Sequence, residues 1–265
     1  MKKWMKATLW AVFGIGIIFL LVSVRTSLQS QILAEPDIHI KVDGENAFLT
    51  EKELLTRLKQ ANLLFVDQKV EELNPEAIEQ FIDAMNEVKS VNVFTHFDGN
   101  WNIDLELRKP IARVFNNFGQ SYYLDSDGFV MKKTIGHTAR VVVVTGDIKD
   151  RMESESVNEI INNDSLKSIR NLDDVYRISN YVCNDPLMQS LIGQIHRESN
   201  GDFVLIPIVG GQKIIFGTAN SESEVKQKFE KLKIFYKEAI PFEGWNKYSE
   251  ISLKFDKQIV CKKTE

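Results

Sequence analysis

The residues of this chain that can do chemistry are scattered rather than gathered into a motif. Histidine occurs four times, at His39, His96, His137 and His196, each in its own strand or loop context. A metalloenzyme, acyl transferase or nucleotide hydrolase needs its ligands or nucleophile at fixed local spacing. No H-E-x-x-H, G-x-S-x-G, Walker loop or paired-cysteine set is present. Gly210-Gly211 does not open a helix, so it offers no cluster of N-terminal amides to a phosphate. Asp125-Ser126-Asp127-Gly128 has the lettering of a calcium-loop start. The twelfth position of such a loop must be a bidentate carboxylate and here is Gly136, so the string reads as a hairpin turn. Cys183 and Cys261 are far apart and lack a C-x-x-C partner. They read either as isolated small apolar residues or as a disulfide pair, and spacing does not choose between them. Acidic residues are many but dispersed, the pattern of a solvated surface. No catalytic, cofactor-binding or metal-binding residue is assigned. The chain is expected to bind other proteins rather than to be an enzyme.

Charge narrows the partners further. The 265 residues carry a net charge of −4, with 43% hydrophobic and 26% charged residues, enough for one or two packed domains. The first acidic residue is Glu35, so everything before it is basic: Lys2, Lys3, Lys6 and Arg25. Setting those four aside leaves 29 basic against 37 acidic residues, a net of −8 for the body. Nucleic-acid binding needs clustered Lys and Arg against phosphate, so no nucleic acid is expected.

The amino-terminal segment must position the body. Residues 7–24 form an apolar run broken only by Thr8, Gly14, Gly16 and Ser23. At ~1.5 Å per residue that is about 27 Å, close to a ~30 Å hydrocarbon core. Trp4 and Trp10 suit the interface, and the lysines before the run keep residues 1–6 in the cytoplasm by the positive-inside rule. The run is longer than a signal-peptide core, and Arg25-Thr26-Ser27 offers no small-x-small cleavage site, so the segment is expected to be retained as a transmembrane helix. A linker, 25–35, follows.

Residues 36–112 read as a first domain. Ile38 to Val42 alternates and ends at Asp43-Gly44, a strand and a turn. Thr50 and Glu53 are spaced as a capping box, with Leu49 and Leu54 as a staple around it. Asn74-Pro75 starts a second helix, whose apolar face is Ile78, Phe81, Ile82, Met85 and Val88. The period then changes to two: Val91, Val93, Thr95 and Phe97, a turn at Asp98-Gly99-Asn100, then Trp101, Ile103, Leu105 and Leu107. The order is β-α-α-β-β, a small sheet with one apolar face carrying two helices.

Residues 113–265 read as a mixed β-sheet domain with flanking helices. A hairpin spans Gln120 to Val130, and Arg140 to Gly146 is a buried strand. A helix is expected from Leu166 to about Val182, and three strands from Leu191 to Gly217. Ser221 and Glu224 cap a helix with Val225, Phe229, Leu232 and Tyr236 inward and Lys226, Lys228, Lys231, Lys233 and Lys237 on its flank. One last strand runs through Tyr248 to Phe255 toward Val260. As the final strand of the sheet it is expected to pack one face inward and leave its backbone edge open.

A β-α-α-β-β unit just beyond a single span resembles a POTRA domain. Glu106-Leu107-Arg108-Lys109-Pro110-Ile111-Ala112 is similar to the E-R-x-P-x-A stretch that closes this domain in the FtsQ/DivIB cell-division family, with Leu107 inserted between Glu and Arg. Gln120 to Val130 resembles the family's y-l-v-D-x-x-G-v-v hairpin, and Arg140 to Gly146 its P-x-x-x-G strand. The stretch from Gly244 to Val260 resembles the last strand, I-D-L-R-Y-x-x-x-v-v, with Ser252, Lys254 and Phe255 in place of Asp, Arg and Tyr. The resemblance implies an α+β fold and a non-enzymatic division scaffold at the septum. Its amino terminus would be cytoplasmic and its body periplasmic, on a single pass through the inner membrane. It would link early cytoplasmic division proteins to FtsB-like and FtsL-like partners and to septal peptidoglycan synthesis, with other division proteins meeting the POTRA unit. By the same resemblance the partner-binding residues are Tyr248, Ser249, Ile251, Leu253 and Phe255. Two other readings compete, a tethered envelope hydrolase and a POTRA-bearing export or assembly factor. The first lacks a catalytic motif. The second ordinarily has several POTRA repeats and a barrel of amphipathic strands, where this chain has one repeat.

Overall fold

The computed structural model describes residues 3–44, 47–96, 99–133, 137–153 and 156–264. For residues 3, 5–9, 25, 27 and 28 it describes the backbone alone. Two compact units divide between Leu107 and Arg108.

The first unit opens with helix α1, Lys3–Gln29, which is continuous through Gly14 and Gly16. Its described apolar side chains, residues 10–24, are almost all exposed. No helix among the described residues is long and apolar enough to cross a membrane. The expected span, 7–24, starts on residues 7–9, whose side chains lie outside the described ones.

Strand β1 is Asp37–Lys41. Helix α2, Glu51–Gln60, starts where Thr50 Oγ1 accepts the Glu53 N–H at 3.3 Å. The Glu53 carboxylate goes to Arg57, at 2.6 Å. Arg57 also holds the buried Glu87. Helix α3, Pro75–Asp83, has Asn74 as its cap and buries Ile78 and Ile82. It is shorter than its apolar period implied: Val88 belongs to the next strand, β2, Val88–Thr95. A helix-spaced residue and a strand-spaced one look alike at a boundary where both face the same core. Strand β3 is Trp101–Leu107. The order in the sheet is β1-β3-β2, with β1 parallel and β2 antiparallel to β3. Phe97 and Asp98 of the expected hairpin turn lie outside the described residues.

The second unit is built on one nine-stranded mixed sheet, in the order β12-β11-β10-β9-β8-β7-β4-β5-β6. Its strands are β4, Pro110–Phe115; β5, Ser121–Asp125; β6, Val130–Lys132; β7, Val142–Gly146; β8, Ile192–Arg197; β9, Phe203–Pro207; β10, Lys213–Gly217; β11, Tyr248–Ser252; and β12, Val260–Lys263. Pro110, Ile111 and Ala112, which the sequence put at the end of the first domain, therefore open the second sheet. The helices are α4, Val157–Ile161; α5, Asp164–Lys167; α6, Leu172–Asn184; α7, Pro186–Leu191; α8, Glu222–Ile234; and α9, Ile240–Glu243. A π-turn, Phe235–Ala239, joins the last two. The helix expected from Leu166 is thus two helices, with α6 starting at Leu172.

The core gathers the inward residues of the central strands with Val175, Ile178 and Val182 of α6 and Val225, Phe229 and Leu232 of α8. The Tyr181 ring stacks on Phe229, with centroids 4.4 Å apart. At β7 the Gly146 backbone has φ +99° and lies so close to β8 that a Cβ would fall 2.0 Å from the Arg197 carbonyl oxygen. Only glycine meets both conditions.

Two stretches singled out in the sequence meet in a structural contact. Arg108 pairs with the fully buried Asp125 at 3.0 Å. The other Asp125 oxygen accepts the N–H groups of Asp127 and Phe129, which closes the β5–β6 turn. Burial raises the Asp125 pKa, against the lowering pull of those amides and of Arg108. Its carboxylate is spent on the turn and on Arg108.

Candidate functional site

The stretch from Tyr248 to Val260 does not form one terminal strand. After β11 the chain turns at residues 253–259 and returns as β12, antiparallel to β11 with Tyr248 opposite Lys263 and Ser252 opposite Val260. Strand β11 is also parallel to β10, so both its edges are paired. The open edge belongs to β12. The sequence missed this because Ile259, Val260 and Cys261 form an apolar group too short to be told from a tail.

The five expected contact residues separate accordingly. Ile251 and Leu253 are fully buried, with their side chains in the core. Tyr248 is half-buried and packs on Phe235, ring centroids 6.0 Å apart. The Ser249 hydroxyl donates to the carbonyls of Lys262 and Lys263, so it serves the β11–β12 junction. Phe255 is exposed, on the turn, and its carbonyl accepts from Lys231 Nζ. Sequence alternation put Ile251, Leu253 and Phe255 on one face. The turn after Leu253 ends that alternation.

Further supports hold the hairpin in place. Lys231 also donates to the Leu253 carbonyl, and its pKa is lowered by burial. Lys254 pairs with Asp202 at 2.6 Å, tying the turn to the β8–β9 loop. The Thr264 N–H and hydroxyl reach back to the carbonyls of Lys247 and Asn246. Strand β12 itself is largely exposed. Val260, Lys262 and Lys263 face solvent, while Cys261 is half-buried against the core and its thiol pKa is raised by that burial. Neither Cys183 nor Cys261 is in a disulfide, which leaves the disulfide reading without support.

Charge and shape distinguish this end of the unit. Residues 226–263 carry ten lysines against five carboxylates, in a chain of net charge −4. Lys228 is not on the expected flank: it is buried, donating to Glu224 and to the Thr218 carbonyl. Beside the π-turn an open apolar groove of about 510 Å³ is lined by Leu187, Leu191, Ile234, Tyr236 and Trp245. Tyr236 packs at a tilt against Trp245, ring centroids 5.7 Å apart, and its neighbour Phe235 does the same against Tyr248, so an aromatic row joins the groove to the start of β11. A π-turn inside a helix often marks such a site.

The sequence matches the family model described as FtsQ/DivIB, C-terminal related, over residues 109–262. The chain belongs to the FtsQ/DivIB family. A POTRA-like domain model matches residues 34–106, the β1-α2-α3-β2-β3 part of the first unit. No curated protein matches the chain. The FtsQ/DivIB family is one of non-enzymatic cell-division proteins. Among the described residues no group of three or more His, Cys, Asp and Glu could hold a metal ion. His196, the histidine of β8, is engaged by the Thr145 hydroxyl at 3.0 Å.

Proposed function

We propose that this FtsQ/DivIB protein is a membrane-anchored division scaffold that recruits partners by strand addition to β12. The observation that carries this reading is an exposed, basic, four-residue edge at the end of a nine-stranded sheet. An edge strand presents unpaired N–H and C=O groups and accepts a further strand. The partner strand is acidic, answering Lys262 and Lys263, and an apolar side chain next to it fills the groove at Trp245. Such a segment fits a small FtsB-like partner, with an FtsL-like protein bound to it. Other division proteins would meet the POTRA-like unit.

Anchoring is supported by α1. Its 27 residues span about 40 Å, and the apolar run 7–24 lies inside it. The lysines before the run keep the amino terminus cytoplasmic and the body periplasmic. Tethering confines the scaffold and single-span partners to one surface, which raises their effective concentration.

The test is co-purification of the full chain, in detergent, with FtsB-like and FtsL-like proteins of the same cell. Two variants are compared with the parent, Lys262→Glu/Lys263→Glu and Lys263→Pro. By strand alternation from Thr264, whose N–H turns inward, the Lys263 N–H turns outward. Proline there removes a donor at an edge that tolerates it. Loss of the partner from both folded variants supports the reading. Retention by both refutes β12 as the docking edge.

A further inference from the structure

The first unit carries an apolar surface that the scaffold reading does not use. After α2 the chain makes a Schellman cap: Leu63 N–H bonds the Leu58 carbonyl, Asn62 N–H bonds the Lys59 carbonyl, and Asn62 takes φ +55°. Residues 63–66 then form a loop, Leu-Leu-Phe-Val, that ends at Asp67, φ +57°. Leu64 enters the core, but Phe65 is 51% exposed and Val66 87% exposed. The loop is held in this shape by a buried polar group. Gln68 Oε1 accepts the Phe65 N–H, and its Nε2 donates to the carbonyls of Leu63 and Glu72. A buried amide thus fixes two apolar side chains in an outward position.

The same loop is bound to the exit of α1. Leu33 N–H donates to the Gln68 carbonyl at 2.7 Å, Val70 N–H donates to the Gln31 carbonyl at 3.1 Å, and Ile32 pairs with Lys69 as a lone β-bridge. Ile32 is itself exposed, and with Phe65 it lines an apolar cleft of about 470 Å³ floored by Trp101. The Trp101 indole fixes this linker by donating to the Ala34 carbonyl.

Distance decides what covers this surface. From Val24, the end of the apolar run, to Gln31 there are five helical residues and two extended ones. At ~1.5 and ~3.3 Å per residue that is at most about 14 Å. Val66 is two residues from Gln68, within about 7 Å more. The interfacial layer beyond the hydrocarbon core is itself about 5–8 Å deep on each side. With ~5 Å across the bridge between the two backbones, these steps confine Val66 to within about 26 Å of Val24, so the tether keeps the loop beside the bilayer surface and leaves it free to meet it.

We infer that residues 63–66, with Ile32, form a second membrane contact in which Phe65 and Val66 insert into the lipid interface and fix the POTRA-like unit against the bilayer. The inference rests on reading α1 as the anchor. The attraction is apolar rather than electrostatic, because Asp67, Glu71 and Glu72 outnumber Lys59 and Lys69 and leave this stretch without net positive charge.

The experiment places a nitroxide on single cysteines of the full chain with Cys183→Ser and Cys261→Ser. The protein is reconstituted in phosphatidylethanolamine and phosphatidylglycerol vesicles. Collision with oxygen, which partitions into lipid, is compared with collision of a water-soluble nickel chelate. Three positions are read: Val12→Cys in α1, Val66→Cys at the loop, and Lys41→Cys at the exposed end of β1. The expected result is hydrocarbon depth at position 12 and water at position 41. At position 66 the oxygen-to-nickel ratio rises well above that at 41, unchanged by added salt, for a side chain within ~5–10 Å of the acyl boundary. Hydrocarbon depth at 12 with a 66 ratio equal to that at 41 overturns the inference and leaves the anchor standing. Water at position 12 removes the anchor, and the inference with it.

Discussion

Replacing Leu253 by alanine, beside Phe255 by alanine, separates core from surface at the end of this chain. Leu253 has no exposed area and packs in the main core of the second unit. Truncation removes three carbons, worth about 2.4 kcal/mol at ~0.8 kcal/mol per buried CH₂. The cavity left behind adds to this, for a total of about 3–4 kcal/mol, inside the ~2–5 kcal/mol range for such changes. For a unit of this size each kcal/mol lowers the melting temperature by about 2–4 °C, so a drop of about 6–16 °C is expected. Phe255, exposed on the turn, should change stability by less than about 0.5 kcal/mol. The assay is thermal unfolding followed by near-ultraviolet circular dichroism, with partner binding measured below the transition. Binding by Leu253→Ala should persist wherever the protein is folded. A melting temperature within about 2 °C of the parent, or loss of binding by folded Leu253→Ala, would refute its assignment to the core alone.

Three further substitutions test the frame of the second unit. Gly146→Ala drives a Cβ into the Arg197 carbonyl at a positive φ, and should destabilise by upwards of about 2 kcal/mol. Gly211→Ala, with open space around it, should be neutral, both variants being read by urea titration against the parent. Asp150 is fully buried, and one of its oxygens has no hydrogen-bond partner. Burial raises its pKa above the ordinary 3.8. The folded state then binds this proton more readily than the unfolded state, so stability is lost as pH rises from 3.8 through the raised value. Asp150→Asn keeps an acceptor for the Asn171 N–H and has no charge to bury. It should therefore be more stable than the parent at neutral pH, with the gap closing as pH falls toward 3.8 in paired urea titrations. A gap independent of pH would remove the carboxylate as its cause.

Amino-acid order alone determined much of this protein. Local rules are written in neighbouring residues, so the caps at Thr50, Asn74 and Ser221 lie where the sequence put them. The β-α-α-β-β order of the first unit and the mixed sheet of the second follow from periods of two and of about four. Caps differ in detail where a longer reach wins: Glu224 bonds the Asn220 N–H and the Thr218 hydroxyl. What only tertiary structure decided concerns pairing between strands distant in sequence. Alternation in Tyr248 to Phe255 says that one face is buried, but it cannot say whether another strand lies alongside. The return of Val260–Lys263 onto β11 took away the edge that the sequence had offered and made a new one. In the same way four apolar letters in a row, residues 63–66, do not say which of their side chains face the core. Only the fold, through the Gln68 side chain and the pairing of Ile32 with Lys69, turns Phe65 and Val66 outward. Burial is a property of which surfaces meet, and backbone pairing over long sequence separations sets that.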